Sequence, residues 1–194
     1  MTYDRIWRHV RSVLCMLHTT QPKAEPVTVS VAAATNALIE AAEARGIALD
    51  PMKLQKLLYL THGYYHAVTG RPWVDEAFEA WDYGPVAPSL YREFRQYGAK
   101  PLKRGERMTE VGFDDDGDFD LVAPVADLAA DPKAKRVLDF VLDRYGSKSA
   151  IYLSDLTHKV GSPWHKVKQR GSALRNQDIP NSDIQEHFAK LVKK

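Results

Sequence analysis

With 194 residues, 44 % of them hydrophobic and 10 % aromatic, the chain can bury a core of its own, which sets disorder aside as a starting expectation. Its formal charge of +2 arises in the first 25 residues, where Arg5, Arg8, Arg11 and Lys23 outnumber Asp4 and Glu25; the rest is neutral, unlike the basic excess of a phosphate-holding domain. A single cysteine, Cys15, excludes an internal disulfide framework and a cysteine-based zinc site, and no apolar run approaches the ~20 residues of a membrane span, so a cytoplasmic protein is expected.

Residues 5–17 place Trp7, Val10, Leu14 and Leu17 at helical spacing with three arginines elsewhere on the wheel. This reads as a short extension, with Met16 as an alternative start, or as a surface helix. "TTQPKAEPVTVS" at 19–30 reads as a linker, so residues 1–27 are expected to be extension and linker, and 28–194 one domain. A helix is predicted from near Ser30 to Arg45. A second opens at Asp50-Pro51, an N-cap followed by a proline at the first helical position, and stops at Gly70. Leu54, Leu57, Leu58, Tyr65 and Val68 form its apolar stripe, with Lys53 and Lys56 off it, and its richness in apolar residues suggests burial on more than one side.

"AWDYGPVAPSLYREF" at 80–94 holds a literal P-x-x-P, but it lies between a Trp-rich run and a helix rather than in a polar tail, so it is not a polyproline ligand. It reads as a rigid aromatic corner that opens a helix over 89–97. Two β-prone runs around Asp116-Gly117 predict one small hairpin over about 108–123. Further helices are expected from Asp131-Pro132, over 152–159 and 163–168, and over 182–192. The fold class is therefore mainly α, a single compact domain with one β-hairpin insertion.

Candidate chemistry is thin. With Gly117 at the sixth place of an EF-hand loop, the first and twelfth places fall on Gly112 and Ala123, so the Asp run at 114–120 fails as a calcium loop and reads as a solvated hairpin tip. His62 and His66 share a helix face, but Gly63 stands where a zincin needs its Glu. His158 and His165 bracket "KVGSPW" and raise a metal-enzyme alternative, although no carboxylate lies between His158 and Asp178. Lys159, Lys166, Lys168, Arg170 and Arg175 make a basic stretch over 158–175, the basis of a DNA-binding alternative. No phosphate loop, dinucleotide fingerprint or nucleophile elbow is present in the sequence, and no cofactor or metal is expected.

Three segments, "MKLQKLLYLTHGYYHAVTGRPW", "FEAWDYGPVAPSLYREFRQYG" and "LSDLTHKVGSPWHKV", follow one another in the order and spacing of the Panacea-domain family, the group of SocA-like antitoxins and phage-associated GepA-like proteins. The resemblance covers about residues 30–190. It implies a small helical bacterial or phage protein that neutralises a cognate protein toxin by direct contact. Neutralisation would proceed by covering the toxin or by handing it to an ATP-dependent protease. The resemblance brings no catalytic residue and leaves the arginine-rich extension and acidic hairpin unexplained. Trp, Tyr and Arg favour interface hot spots. The expected partner-binding residues are Trp81, Tyr83, Pro85, Tyr91, Arg92, Arg95, His158, Trp164 and Lys166. An enzyme is not expected, and no membrane partner.

Overall fold

The computed structural model describes residues 28–113, 117–171 and 176–193. The expected extension, the Asp114–Asp116 run and Arg175 lie outside the described residues. Ser30 starts helix α1 (Val31–Glu43) by accepting a hydrogen bond from the Ala33 N–H, and almost every residue of this alanine-rich helix is buried. Small side chains let its neighbours approach on all sides. Helix α2 (Pro51–Thr69) is the centre of the molecule. Asp50 caps its first turn and Pro51 occupies the first helical position, as the sequence suggests. Gly70, at φ 78°, ends the helix in the left-handed conformation that favours glycine.

Around α2 pack α1, a short strand pair, and helices α3 (Pro88–Phe94), α4 (Pro132–Tyr145), α5 (Ala150–His158) and α7 (Asn181–Val192). Helix α6 (Pro163–Gln169) rests on α5 and α7. Ser149 and Ser162 cap α5 and α6, and Asp131 caps α4. On α4, Val137, Leu138, Val141, Leu142 and Tyr145 are buried, the inward face that the sequence predicts. Gly63, the residue that breaks the zincin pattern, is a notch for α7. A Cβ there would meet the Phe188 ring at 2.3 Å.

The described chain is mainly α, with seven α-helices and two small antiparallel strand pairs. The expected hairpin is β3 (Glu110–Phe113) with β4 (Phe119–Val122). Both its ends are pinned to α1 by buried Asn36, which donates to the carbonyls of Met108 (2.9 Å) and Pro124 (2.7 Å) and accepts from the Met108 N–H. The second pair, β1 (Glu79–Trp81) with β2 (Gly84–Val86), falls inside the aromatic corner. Gly84 and Pro85 conceal it from strand propensity. Beyond α3 a 3-10 turn covers Arg95–Tyr97, so the single helix expected over 89–97 is two pieces. The α2 stripe also differs from expectation. Val68 is exposed, while Lys53 and Lys56 are buried, because α2 is enclosed on nearly every side.

Candidate partner-binding site

The β1–β2 hairpin turns at Asp82-Tyr83 and is gripped from beneath by two adjacent residues of α2. The Gln55 side chain behaves like a strand edge. Its amide donates to the Ala87 carbonyl at 3.0 Å and accepts the Ala87 N–H at 2.9 Å. Lys56, only 1 % exposed, donates from Nζ to the Pro85 carbonyl at 2.9 Å. Burial pushes the Lys56 ammonium down to about 7, and no carboxylate among the described residues offsets it. Gly84 is required where the strand crosses this lysine. Its φ is +100°, and a Cβ would lie 2.6 Å from Thr157 Oγ1 and 3.0 Å from Lys56 Nζ.

The other wall is the α5–α6 corner. Ser154 donates to the Tyr83 carbonyl at 2.9 Å, and Trp164 donates its indole N–H to the Trp81 carbonyl at 2.7 Å. Ser162 both caps α6 and donates to the Thr157 carbonyl at 2.7 Å. The Trp164 ring lies 4.0 Å from the His158 ring, tilted by 34°. Burial, helped by the nearby Lys56, holds His158 below its usual range, so it stands as a neutral packing partner.

Upon this base sits a surface. The Trp81 indole N–H bonds Glu79 at 2.6 Å, and its ring meets Tyr91 edge-on at 4.7 Å. Ser89 fastens the start of α3 by donating its N–H and hydroxyl to Glu76. Tyr83, at the hairpin tip, is 73 % exposed; Tyr91, Arg92 and Arg95 are exposed on α3 and the following turn. Lys168 joins the site from α6, pairing with Asp82 at 3.0 Å and sitting over the Trp164 ring at 5.7 Å.

The structure thus gathers Trp81, Tyr83, Tyr91, His158 and Trp164. Pro85 is buried and serves the site through its carbonyl. Lys166 faces α7 instead, paired with Asp183 (3.2 Å) and Glu186 (3.0 Å). Arg170 also pairs with Asp183, at 3.1 Å. Three of the cations that raised the DNA reading, Lys166, Lys168 and Arg170, are therefore matched by carboxylates. His165 accepts the Gly161 N–H through Nδ1 at 3.3 Å. His62 lies buried between the Val74 N–H and Asn181, and burial pushes it down to about 4, which keeps it neutral. Among the described residues, no three His, Cys, Asp or Glu side chains cluster to hold a metal ion.

Sequence reasoning missed Gln55 and Lys56. The available signal was a polar pair inside the apolar run Leu54–Leu60, on a helix already read as enclosed. It also missed Ser154 and Thr157, one helical turn apart in "LSDLTHKVGSPW". Comparison with known proteins gives these segments a common meaning. Residues 54–165 match the family described as "Antitoxin SocA-like, Panacea domain", a span from Leu54 to His165 that contains both the grip and the surface. Antitoxin SocA of Caulobacter vibrioides (strain NA1000 / CB15N) is 34 % identical over 143 residues, covering 74 % of this chain and 72 % of that protein. No solved structure matches. The chain belongs to the SocA-like, Panacea-domain antitoxin family.

Proposed function

We propose that this chain is the antitoxin of a toxin–antitoxin pair and neutralises a cognate toxin by direct binding, with the 28–194 segment as the antitoxin domain. The carrying observation is the family match over 54–165. Its region includes a hairpin held from both sides whose tip, Tyr83, is turned out to solvent. A tip fixed by buried hydrogen bonds loses little conformational freedom on binding, which favours recognition. Trp81 and Tyr91 support the tip, and Arg92 and Arg95 extend the surface with groups common at hot spots. Pro85, His158 and Trp164 serve from beneath as support, and Lys166 marks the far edge towards α7.

The test is co-expression with the product of the adjacent open reading frame. Growth arrest by that product alone, relieved by this chain, is the expected result. Relief should persist in a chain lacking residues 1–27. A harmless product, or unrelieved arrest, would overturn the proposal. Following the toxin's level separates two routes: loss that requires an ATP-dependent protease marks an adaptor, and a stable inert complex marks occlusion.

A further inference from the structure

The β3–β4 hairpin is amphipathic in an inverted sense. Its cross-strand pairs Val111–Leu121 and Phe113–Phe119 put four large apolar side chains on one face. They are 70 %, 67 %, 65 % and 77 % exposed, and the two phenyl rings lie 4.8 Å apart. The opposite face carries Glu110, Gly112, Asp120 and Val122. Glu110, Gly112 and Val122 are half-buried, and the Ser30 hydroxyl at the start of α1 donates to Glu110 at 3.3 Å. The hairpin thus turns its Glu110 face to the body of the fold and its apolar face away. Strand pairs with such a face are templates for association, so this one calls for a cover.

The described chain begins at the base of this hairpin. Val29 is held between Trp73 and Asp75 by backbone hydrogen bonds of 2.9 and 3.1 Å, and the next residue, Ser30, reaches Glu110, the first residue of β3. Residues 1–27 therefore enter the fold beside β3. The linker 18–27 separates Leu17 from Thr28 and can span up to ~33 Å. A strand of the hairpin's length measures only ~13 Å. Within residues 5–17, Trp7, Val10, Leu14 and Leu17 recur at helical spacing, and a helical stripe over 7–17 is ~15 Å long, a match to the strands. Arg5, Arg8 and Arg11 lie off that stripe, and their sign is opposite to that of the Asp114–Asp116 run between the two strands.

We propose that the segment 5–17 covers the apolar face of the β3–β4 hairpin of its own chain, laying Trp7, Val10, Leu14 and Leu17 on Val111, Phe113, Phe119 and Leu121. The opposite signs of its arginines and the Asp run favour the contact. Area and tether select this occupant over a free one. At roughly 200 Å² for each aromatic side chain, the four hairpin residues present on the order of 500 Å², so a cover buries about 1,000 Å² in all. That is marginal for two free partners. A short linker instead holds the segment at about millimolar effective concentration, so an intrinsic affinity of only ~100 µM keeps it about nine-tenths seated. Charge selects the hairpin over the other apolar surface, the groove between α2, α4, α5 and α7, where Lys133, Arg136 and Arg144 repel the arginines. The arginine-rich extension and the acidic hairpin, both left unexplained by the family resemblance, become two halves of one contact.

The test uses Cys15, the single cysteine of the sequence, which falls within the segment but off its apolar stripe. A nitroxide attached to Cys15 of the full chain should broaden the backbone amide NMR signals of residues 110–113 and 119–122 and spare those lining the α4–α7 groove. W7S/L14S should abolish the broadening. F113S/F119S removes exposed rings outside the core and should abolish it as well. R5E/R8E/R11E turns attraction into repulsion and should reduce it. In a mixture of nitroxide-bearing chain with isotope-labelled chain that carries no nitroxide, the hairpin signals should stay sharp, which places the contact within one chain. Hairpin signals untouched by the nitroxide, broadening that falls in the groove or appears in the mixture, or broadening that survives W7S/L14S would each overturn the proposal.

Discussion

Lys56 is the most sensitive point of the hairpin's support, and its ionisation can be read in stability. The ammonium is buried and donates to the Pro85 carbonyl, and its pKa falls from 10.5 to about 7. A lysine depressed in the fold leaves the unfolded chain holding more protons between these two values. Stability therefore rises with pH through that window; below about 7 both states are charged and the cost of burying the charge is felt in full. Between pH 7 and 9 the unfolded lysine remains protonated while the folded one releases its proton, which amounts to about 2 kcal/mol at ~1.4 kcal/mol per pH unit. This window stays below the ordinary tyrosine range. Lys56→Met keeps the length of the side chain and removes the titration. Urea unfolding of both chains at pH 7, 8 and 9 should show the wild type gaining about 2 kcal/mol relative to the variant. Parallel pH profiles would refute the assignment of Lys56 as a buried ammonium without a counter-ion.

Gly84→Ala places a methyl 2.6 Å from Thr157 Oγ1 at a positive φ, so thermal melting should show a loss of about 2 kcal/mol or more. Gly63→Ala drives a Cβ into the Phe188 ring and should cost about 1–3 kcal/mol by denaturant unfolding, through displacement of α7. His62 is pushed down to about 4 by burial, so the unfolded chain takes up its proton first as pH falls. Stability should accordingly drop between pH 6.5 and 4, by up to about 3 kcal/mol from this residue, and His62→Gln should flatten that limb of the acid-unfolding curve.

The elements legible in the sequence were those with strong end signals. Asp50-Pro51 and Gly70 bracket α2, and Asp131-Pro132 opens α4, where the sequence places them. The 108–123 hairpin announced itself through alternation around a turn. The second strand pair did not, because three-residue strands containing Gly84 and Pro85 carry no β propensity; their partners are Gln55, Lys56 and Ser154, distant in sequence. Lys56 shows why a wheel misleads on an enclosed helix. Lying off the apolar stripe implies solvent only when one side of the helix is free, and hairpin and α5 cover the side where Lys56 points. The aromatic corner was legible as a rigid feature; which of its rings faces water was not. Trp81 is half-buried by its contact with Tyr91 and Tyr83 is exposed, a division that depends on the two-residue turn between the strands.

The central claim is that the exposed face of the β1–β2 hairpin binds the toxin. Titration calorimetry of Tyr83→Ala/Tyr91→Ala against the product of the adjacent reading frame tests it most directly. Tyr83 is 73 % exposed, and its loss should leave melting within about 0.5 kcal/mol of the wild type. The loss of Tyr91 removes a ring packed on Trp81, so thermal melting of the double variant is measured first and binding is compared at a temperature where it is folded. The account predicts that binding weakens by roughly 30-fold or more, as expected on removing hot-spot aromatics. Wild-type affinity in the folded double variant would contradict it.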